Sequence, residues 1–303
     1  MAYGTPAGRS DVEAYYTHIR RGRPPGAELL ANLQARYDAI GGISPLRERS
    51  EAQRAALSAA LEDLRPGGFT VVLGQKHAPP FIEDATAALV ADAGVRHIVG
   101  LVLAPHFART SVGEYHARLR AAAEPGGAAV ATIDRWHLEP AYVDLLAGAV
   151  REARASMPPR HKVLFTAHSL PERVLDGDPY PDELRASAAA IADRAGLGRW
   201  SEWSIAWQSA GATPEPWRGP DVLRVIRDLG ATGRADGVVV CPQGFVSDHL
   251  EVLYDLDVEA ARVAAEAGLA FARTRVMNDD PTVLGALAAR VVEAAGVLGR
   301  AGT

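Results

Sequence analysis

Glu251, Asp255 and Glu259 follow one another at i, i+4 and i+8 in a stretch with helical periodicity. Like charges at that spacing cost a helix roughly 0.2–0.5 kcal/mol each. A row of carboxylates is therefore poor helix engineering, and it suggests a path for a cation. A structural reading competes. Asp248-x-x-Glu251 has the spacing of a capping box, and the first turn of any helix welcomes anions. Taken alone, this stretch favours capping slightly over metal handling. The dipole account weakens by Asp255 and fails by Glu259. A second candidate stands in His168-Ser169-Leu170-Pro171, just past a predicted strand. Imidazole and carboxylate together bind a divalent transition metal or accept protons near neutral pH. Two protein ligands make a weak, open site, which suits metal transfer better than storage.

Arg20, Arg21 and Arg23 form a second group, downstream of Tyr15, Tyr16 and His18. On charge alone three arginines in four positions read as a solvated turn. Their planar, bidentate donors next to aromatic surface would also hold a flat, anionic ligand. Arg36 and Tyr37 close the next predicted helix.

The elements that must position these groups alternate. Helices are predicted over 11–19, 28–40 and 50–64. Strands follow at 69–73, 97–103, 128–133, 162–167, 204–207, 237–240 and 270–275. Helices fill the intervals at 82–91, 111–123, 140–155, 181–194, 220–229 and from Ser247 towards Gly268, and a closing helix spans 281–298. This pattern predicts an α/β protein of two Rossmann-like domains, each a parallel sheet flanked by helices, with a cleft between them. The proline pair Pro158-Pro159 sets the expected boundary, giving domains 1–157 and 158–303, with the closing helix free to pack back on the first. In such sheets residues past the carboxyl ends of strands line the ligand site. His106, His168 and the 243–251 loop sit there. His97, His116 and His161 do not, and read as incidental.

Composition narrows the field. A net charge of −5 gives no general attraction to nucleic acid or anionic membrane. One cysteine, Cys241, excludes a disulfide framework or a cysteine-ligated iron–sulfur cluster within this chain, and it suits the cytoplasm. No leader and no uninterrupted apolar run near 18 residues is evident, so neither secretion nor a membrane span is expected. G-x-G-x-x-G, Walker A, H-E-x-x-H and G-x-S-x-G patterns are all missing.

Ordered segments along nearly the whole chain carry a resemblance. They include Ala2-Tyr3-Gly4-Thr5-Pro6, Tyr15-Tyr16-Thr17-His18-Ile19-Arg20-Arg21-Gly22-Arg23, Gly41-Gly42-Ile43-Ser44-Pro45-Leu46, His168-Ser169-Leu170-Pro171 and Gly244–Asp255. The chain resembles the ferrochelatases, most of all the monomeric, soluble type of Gram-positive bacteria that inserts iron into coproporphyrin III. The resemblance implies that His168 and Glu251 face each other over the porphyrin centre, bind ferrous iron and help remove the pyrrole protons. It implies Tyr3 as an axial ligand to the product iron, and Asp255 and Glu259 as a ridge holding or relaying a further cation. Tyr3, Ile19, Arg20, Arg36, Tyr37, Ser44 and Tyr115 would hold the macrocycle and its propionates. Iron is then a substrate, no cofactor is permanently bound, and no iron–sulfur cluster is expected despite its occurrence in some actinobacterial relatives.

The resemblance leaves other readings open: a protoporphyrin IX ferrochelatase, a chelatase for sirohydrochlorin or corrin precursors, or a non-catalytic tetrapyrrole carrier. The Tyr-Tyr-Thr-His-Ile-Arg-Arg segment weighs against the second chelatase class. The presence of both His168 and Glu251 weighs against a carrier, which needs one axial ligand. One expectation concerns the amino end. Tyr3 has two residues before it, too few for a central strand. The natural protein is therefore expected to begin upstream, with a few apolar residues before Met1.

Overall fold

The computed structural model describes residues 1–91, 95–198, 201–211 and 213–301. By internal packing the chain divides into Met1–Trp136 with Asn278–Thr303, and His137–Met277. The boundary expected at the proline pair thus lies about twenty residues earlier, at Trp136/His137. The reason is the helix Pro140–Arg154, which packs on the helix Tyr180–Arg194 and on the strand Gly237–Cys241 and so belongs with the second unit.

In the first unit β1 (His97–Leu101) pairs in parallel with β2 (Ala129–Ile133). The expected strand over 69–73 makes no ladder. Backbone pairing on that side starts at Gly74, whose carbonyl accepts from Ala2 N–H at 3.0 Å. Strand-like residues make a strand only where a second segment pairs with them, and residues 69–73 ladder with none of the described residues. Ile82, Ile98, Val112, Tyr115 and Leu119 form the core on one side. The helix Pro281–Ala301 packs on the helix Leu46–Leu64 and on both strands, burying Leu284, Leu287 and Ala288. By length and composition that helix could cross a membrane, contrary to the expected lack of any such run. Arg290 and Glu293 interrupt its apolar sequence, and one face, carrying Val283, Leu284, Leu287, Ala288 and Val291, is buried in the first unit.

The second unit carries a four-stranded parallel sheet of β3 (His161–His168), β4 (Trp203–Gln208), β5 (Gly237–Cys241) and β6 (Ala270–Arg273), in the order β4-β3-β5-β6. β5 is fully buried, as its Val-Val-Val block requires for a central parallel strand. From β3 the chain moves outward to β4, then crosses back to place β5 on the other flank. The order therefore reverses between β3 and β5, and ligands in open parallel sheets bind beyond the carboxyl ends at that reversal.

Candidate functional site

His168 ends β3 and Glu251 lies at the end of the loop that leaves β5, so both stand at the reversal point. The loop is fixed to the sheet. Gly244 N–H donates to Thr166 O at 3.0 Å, and a Cβ at Gly244 would stand 2.5 Å from the Ala167 Cβ, so only glycine fits. Gln243 is fully buried: its amide donates to Leu184 O and accepts from Ser187 Oγ, while its carbonyl accepts from Tyr142 Oη. These bonds hold the start of the loop against two helices.

His168 Nε2 lies 3.7 Å from Glu251 Oε1, with side chains 35% and 34% exposed. The other ring nitrogen of His168 lies 2.5 Å from Ser169 O, which fixes Nδ1 as the donor and turns Nε2 outward. On the far side of the carboxylate, His249 Nε2 is 3.6 Å from Glu251 Oε2, and His249 Nδ1 meets Ser247 O at 2.9 Å. Burial disfavours a charged His168, but the Glu251 carboxylate and the Ser169 carbonyl outweigh it and raise the imidazole to about 9. Burial likewise disfavours a charged Glu251, yet the two histidines hold it well below the usual carboxylate range. His168 and Glu251 thus form an imidazolium–carboxylate pair at neutral pH. Tyr180 Oη donates to His168 O at 3.2 Å, and Gln208 Nε2 donates to Glu251 O at 2.9 Å.

The capping account of Glu251 does not survive. The helix starts at Leu250 behind an extended His249, no side chain caps it, and Asp248 turns to Arg273 at 3.3 Å. Beyond Val252 the chain forms a π-helix over Leu253–Ala260 in place of the expected α-helix. Such windings are rare, usually one turn long, and frequent at functional sites. Asp255 is buried within it and accepts from Ser209 Oγ at 2.5 Å. Ser209 has φ of +61°, a left-handed conformation that a non-glycine residue adopts only under constraint. Glu259 lies one turn further on, half-buried. Among the described residues no group of three or more His, Cys, Asp or Glu side chains converges to enclose a metal.

The remaining predicted residues belong to the first unit. Tyr3 is 44% exposed, and its ring lies 4.7 Å from that of His77. His77 Nδ1 lies 3.1 Å from His18 Nδ1, and His18 stacks on Phe81. Burial, with Lys76 next to it, lowers His77 to about 4, so it is neutral at pH 7. An open depression of about 1110 Å³ is lined by Tyr3, His18, Ile19, Arg21, Lys76 and His77, among others. Arg20 stands exposed in the turn, its Nε donating to Arg23 O at 3.2 Å. Tyr37, Ser44 and Tyr115 are buried, and Arg36 is half-buried in its helix. Lys76 covers the Tyr115 ring and pairs with Glu114 at 2.5 Å. His249, Ser209, Lys76 and His77 escaped the sequence reading. His249 is two residues from Glu251. Lys76 and His77 lie past the end of a predicted strand, the very position used to select His168.

A ferrochelatase family profile matches residues 1–295. The coproporphyrin III ferrochelatase of Geobacillus kaustophilus is 44% identical over 300 residues, 97% of this chain and 94% of that protein. That of Bacillus subtilis is also 44% identical, over 98% of this chain and 96% of its own length. Among solved structures, CbiX, the terminal enzyme for siroheme biosynthesis in denitrifying bacteria, aligns with a TM-score of 0.52 at 18% identity, covering 83% of this chain and 93% of that one. SirB from Bacillus subtilis with Fe3+ aligns with a TM-score of 0.52 at 16% identity, covering 80% and 89%. At such identities the likeness is one of fold.

Proposed function

Because this chain belongs to the ferrochelatase family, and relatives 44% identical over nearly its whole length are coproporphyrin III ferrochelatases, we propose that it inserts ferrous iron into coproporphyrin III. The observation that carries the chemistry is the His168–Glu251 pair at the reversal point of a parallel sheet. Iron insertion needs a site that takes a hydrated cation, strips water from it and accepts two pyrrole protons. Asp255 and Glu259 offer hard oxygen ligands for capture, and His168 offers a softer nitrogen for transfer. Glu251, held ionised by two imidazoles, is available to take a pyrrole proton, and its lowered pKa makes it a carrier that passes the proton on to solvent and not a store. His249 acts by orienting it. The role of Tyr3 as axial group to the product iron, and those of Ile19, Arg20, Arg36, Tyr37, Ser44 and Tyr115 toward the macrocycle, rest on the resemblance. The placement of Tyr3 and Ile19 in the lining of the open depression supports their two roles.

This reading needs no resident cofactor, since iron enters as substrate. It also assigns a monomer working in the cytoplasm. The single, fully buried thiol and the packing of the apolar closing helix inside the first unit support that assignment. An anaerobic assay with ferrous iron tests the proposal against coproporphyrin III, protoporphyrin IX and sirohydrochlorin in parallel. Coproporphyrin III should be metallated fastest, and His168→Ala should abolish insertion while porphyrin still binds. Preferred turnover of either other tetrapyrrole would reassign the substrate. Near-normal turnover by His168→Ala would remove the mechanism.

A further inference from the structure

Residues 248–259 carry five carboxylates, Asp248, Glu251, Asp255, Asp257 and Glu259, and no lysine or arginine. So many like charges in one short segment repel one another, and the set needs a counter-charge from elsewhere in the fold to keep a fixed shape. Two of the five find it in one side chain. Asp248, in the loop before Glu251, and Asp257, on the π-helix between Asp255 and Glu259, both meet Arg273. Residues two apart on a helix do not share a face, so Asp257 stands off the row that Asp255 and Glu259 form.

Arg273 is the last residue of β6 and lies opposite Val240 of β5, at the carboxyl end of the sheet. The next residue is pinned there, since Thr274 N–H donates to Val240 O at 2.9 Å. The guanidinium grips Asp257 with two parallel bonds, Nε to Oδ1 at 2.6 Å and Nη2 to Oδ2 at 2.9 Å. Its remaining nitrogen, Nη1, donates to Thr274 O at 3.1 Å and faces Asp248 Oδ1 at 3.3 Å. The side chains of Arg273 and Asp248 are 16% and 19% exposed, so this contact is shielded from solvent more than an ordinary surface ion pair. A planar fork engages two carboxylates and a carbonyl at once. A lysine ammonium is a point charge on a flexible stem and has no such plane.

We propose that Arg273 is a positioning residue for the metal site, tying the loop that presents Glu251 to the π-helix that presents Asp255 and Glu259. The inference rests on the proposed metal insertion and deepens it, by naming the group that sets the distance between the carboxylates of the cation path. Arg273 acts through Asp248 and Asp257 and touches none of Glu251, Asp255 and Glu259 itself. Its strand differs from the two that lead to His168 and Glu251, so the clamp refers both carboxylate-bearing segments to the rigid sheet. Outer partners of this kind hold ligands in register, and their loss weakens metal binding without removing a ligand.

The test uses Arg273→Lys, which keeps the charge and loses the fork. Co2+ is titrated calorimetrically into the porphyrin-free protein, and the binding that His168→Ala abolishes defines the signal of the site. Arg273→Lys should weaken that binding about tenfold or more, with Tm lowered by no more than about 5 °C. Asp257→Asn, at a more exposed position, supplies the same reading if Arg273→Lys folds poorly, and it should weaken Co2+ to a similar degree. The double variant should bind no worse than the weaker single one, because both substitutions break one link. In the iron-insertion assay the KM for ferrous iron should rise with little change in kcat, whereas a merely structural loss scales kcat with the amount of folded enzyme. Unchanged Co2+ affinity in both single variants, or losses that add in the double, would overturn the inference. Weakened Co2+ binding in the variants, together with no metal insertion by the unsubstituted protein, would sink the proposed activity and leave Arg273 its role at a metal site.

Discussion

His168 is charged at neutral pH, and a metal ion bound there would have to displace its proton. Its pKa is raised from 6.5 to about 9, so metal binding at pH 7 should release close to one proton from this ring. Affinity for a divalent ion should climb about tenfold per pH unit between pH 7 and 8 and level off above about 9. Calorimetry in buffers of different ionisation enthalpy would read the proton directly, and a pH-independent affinity would contradict the pairing. The same shift fixes a stability trend. A raised imidazole stabilises the fold fully below pH 6.5, and that contribution fades as pH rises through about 9. Glu251, depressed, contributes above about 4.5 and loses its contribution as pH falls below that. Glu251→Gln should remove both trends from a plot of Tm against pH. It should also lower the NMR titration of His168, because burial would then be opposed only by the Ser169 carbonyl and Asp255. Arg20 gives an independent reading at this scale. If it holds a propionate, Arg20→Ala should weaken porphyrin binding by about 1–3 kcal/mol in a fluorescence titration. An unchanged affinity would return the arginines to a solvated turn.

Among the elements, the strands of the second unit were legible because each is a short β-branched or aromatic run that ends on polar residues. The central placement of Gly237–Cys241 follows from its unbroken apolar character. The π-helix was not legible. Leu253–Ala260 has the periodicity of an ordinary amphipathic helix, and the extra residue per turn is imposed from outside, in part through the bond from Ser209 to Asp255. Two of the row's three carboxylates, Asp255 and Glu259, lie on this altered winding, and Glu251 lies just before it. Deleting Val258, an exposed residue of the π-helix, should restore α-helical winding and bring Glu259 three residues after Asp255 in place of four. Melting should change little. The KM for ferrous iron should rise several-fold with kcat nearly constant if Asp255 and Glu259 act together in supplying the ion. An unchanged KM would separate Glu259 from the cation path. The strand expected over 69–73 failed for another reason. Its own residues are strand-like, but a strand is a property of two segments, and nothing in residues 69–73 announces whether a neighbour is present.

For the whole molecule, the sequence shows two α/β halves and misplaces their junction. Pro158-Pro159 reads as a break, yet it lies inside the second unit, between the helix Pro140–Arg154 and β3. Local chemistry marks where a helix ends. Only the partners of that helix decide which unit owns it. The closing helix makes the same point in reverse, because it returns to the unit in which the chain began. Leu287, fully buried on that helix, should cost about 2–5 kcal/mol when changed to Ala. The loss should register in hydrogen exchange of the first unit and leave β3 and β5 protected. Uniform loss across both units would mean that they unfold as one.

That return path has a consequence for how the protein is made. The second unit is continuous, so it can close on itself as soon as Met277 has emerged from the ribosome. The first unit is synthesised earlier but lacks Leu284, Leu287 and Val291 of its core until the final helix arrives. At ~5–20 residues per second the amino-terminal half waits roughly ten seconds or more for its last layer. The half translated first is therefore the half completed last. During that interval the exposed faces of β1 and of the helix Leu46–Leu64 are the surfaces a nascent-chain chaperone would have to shield.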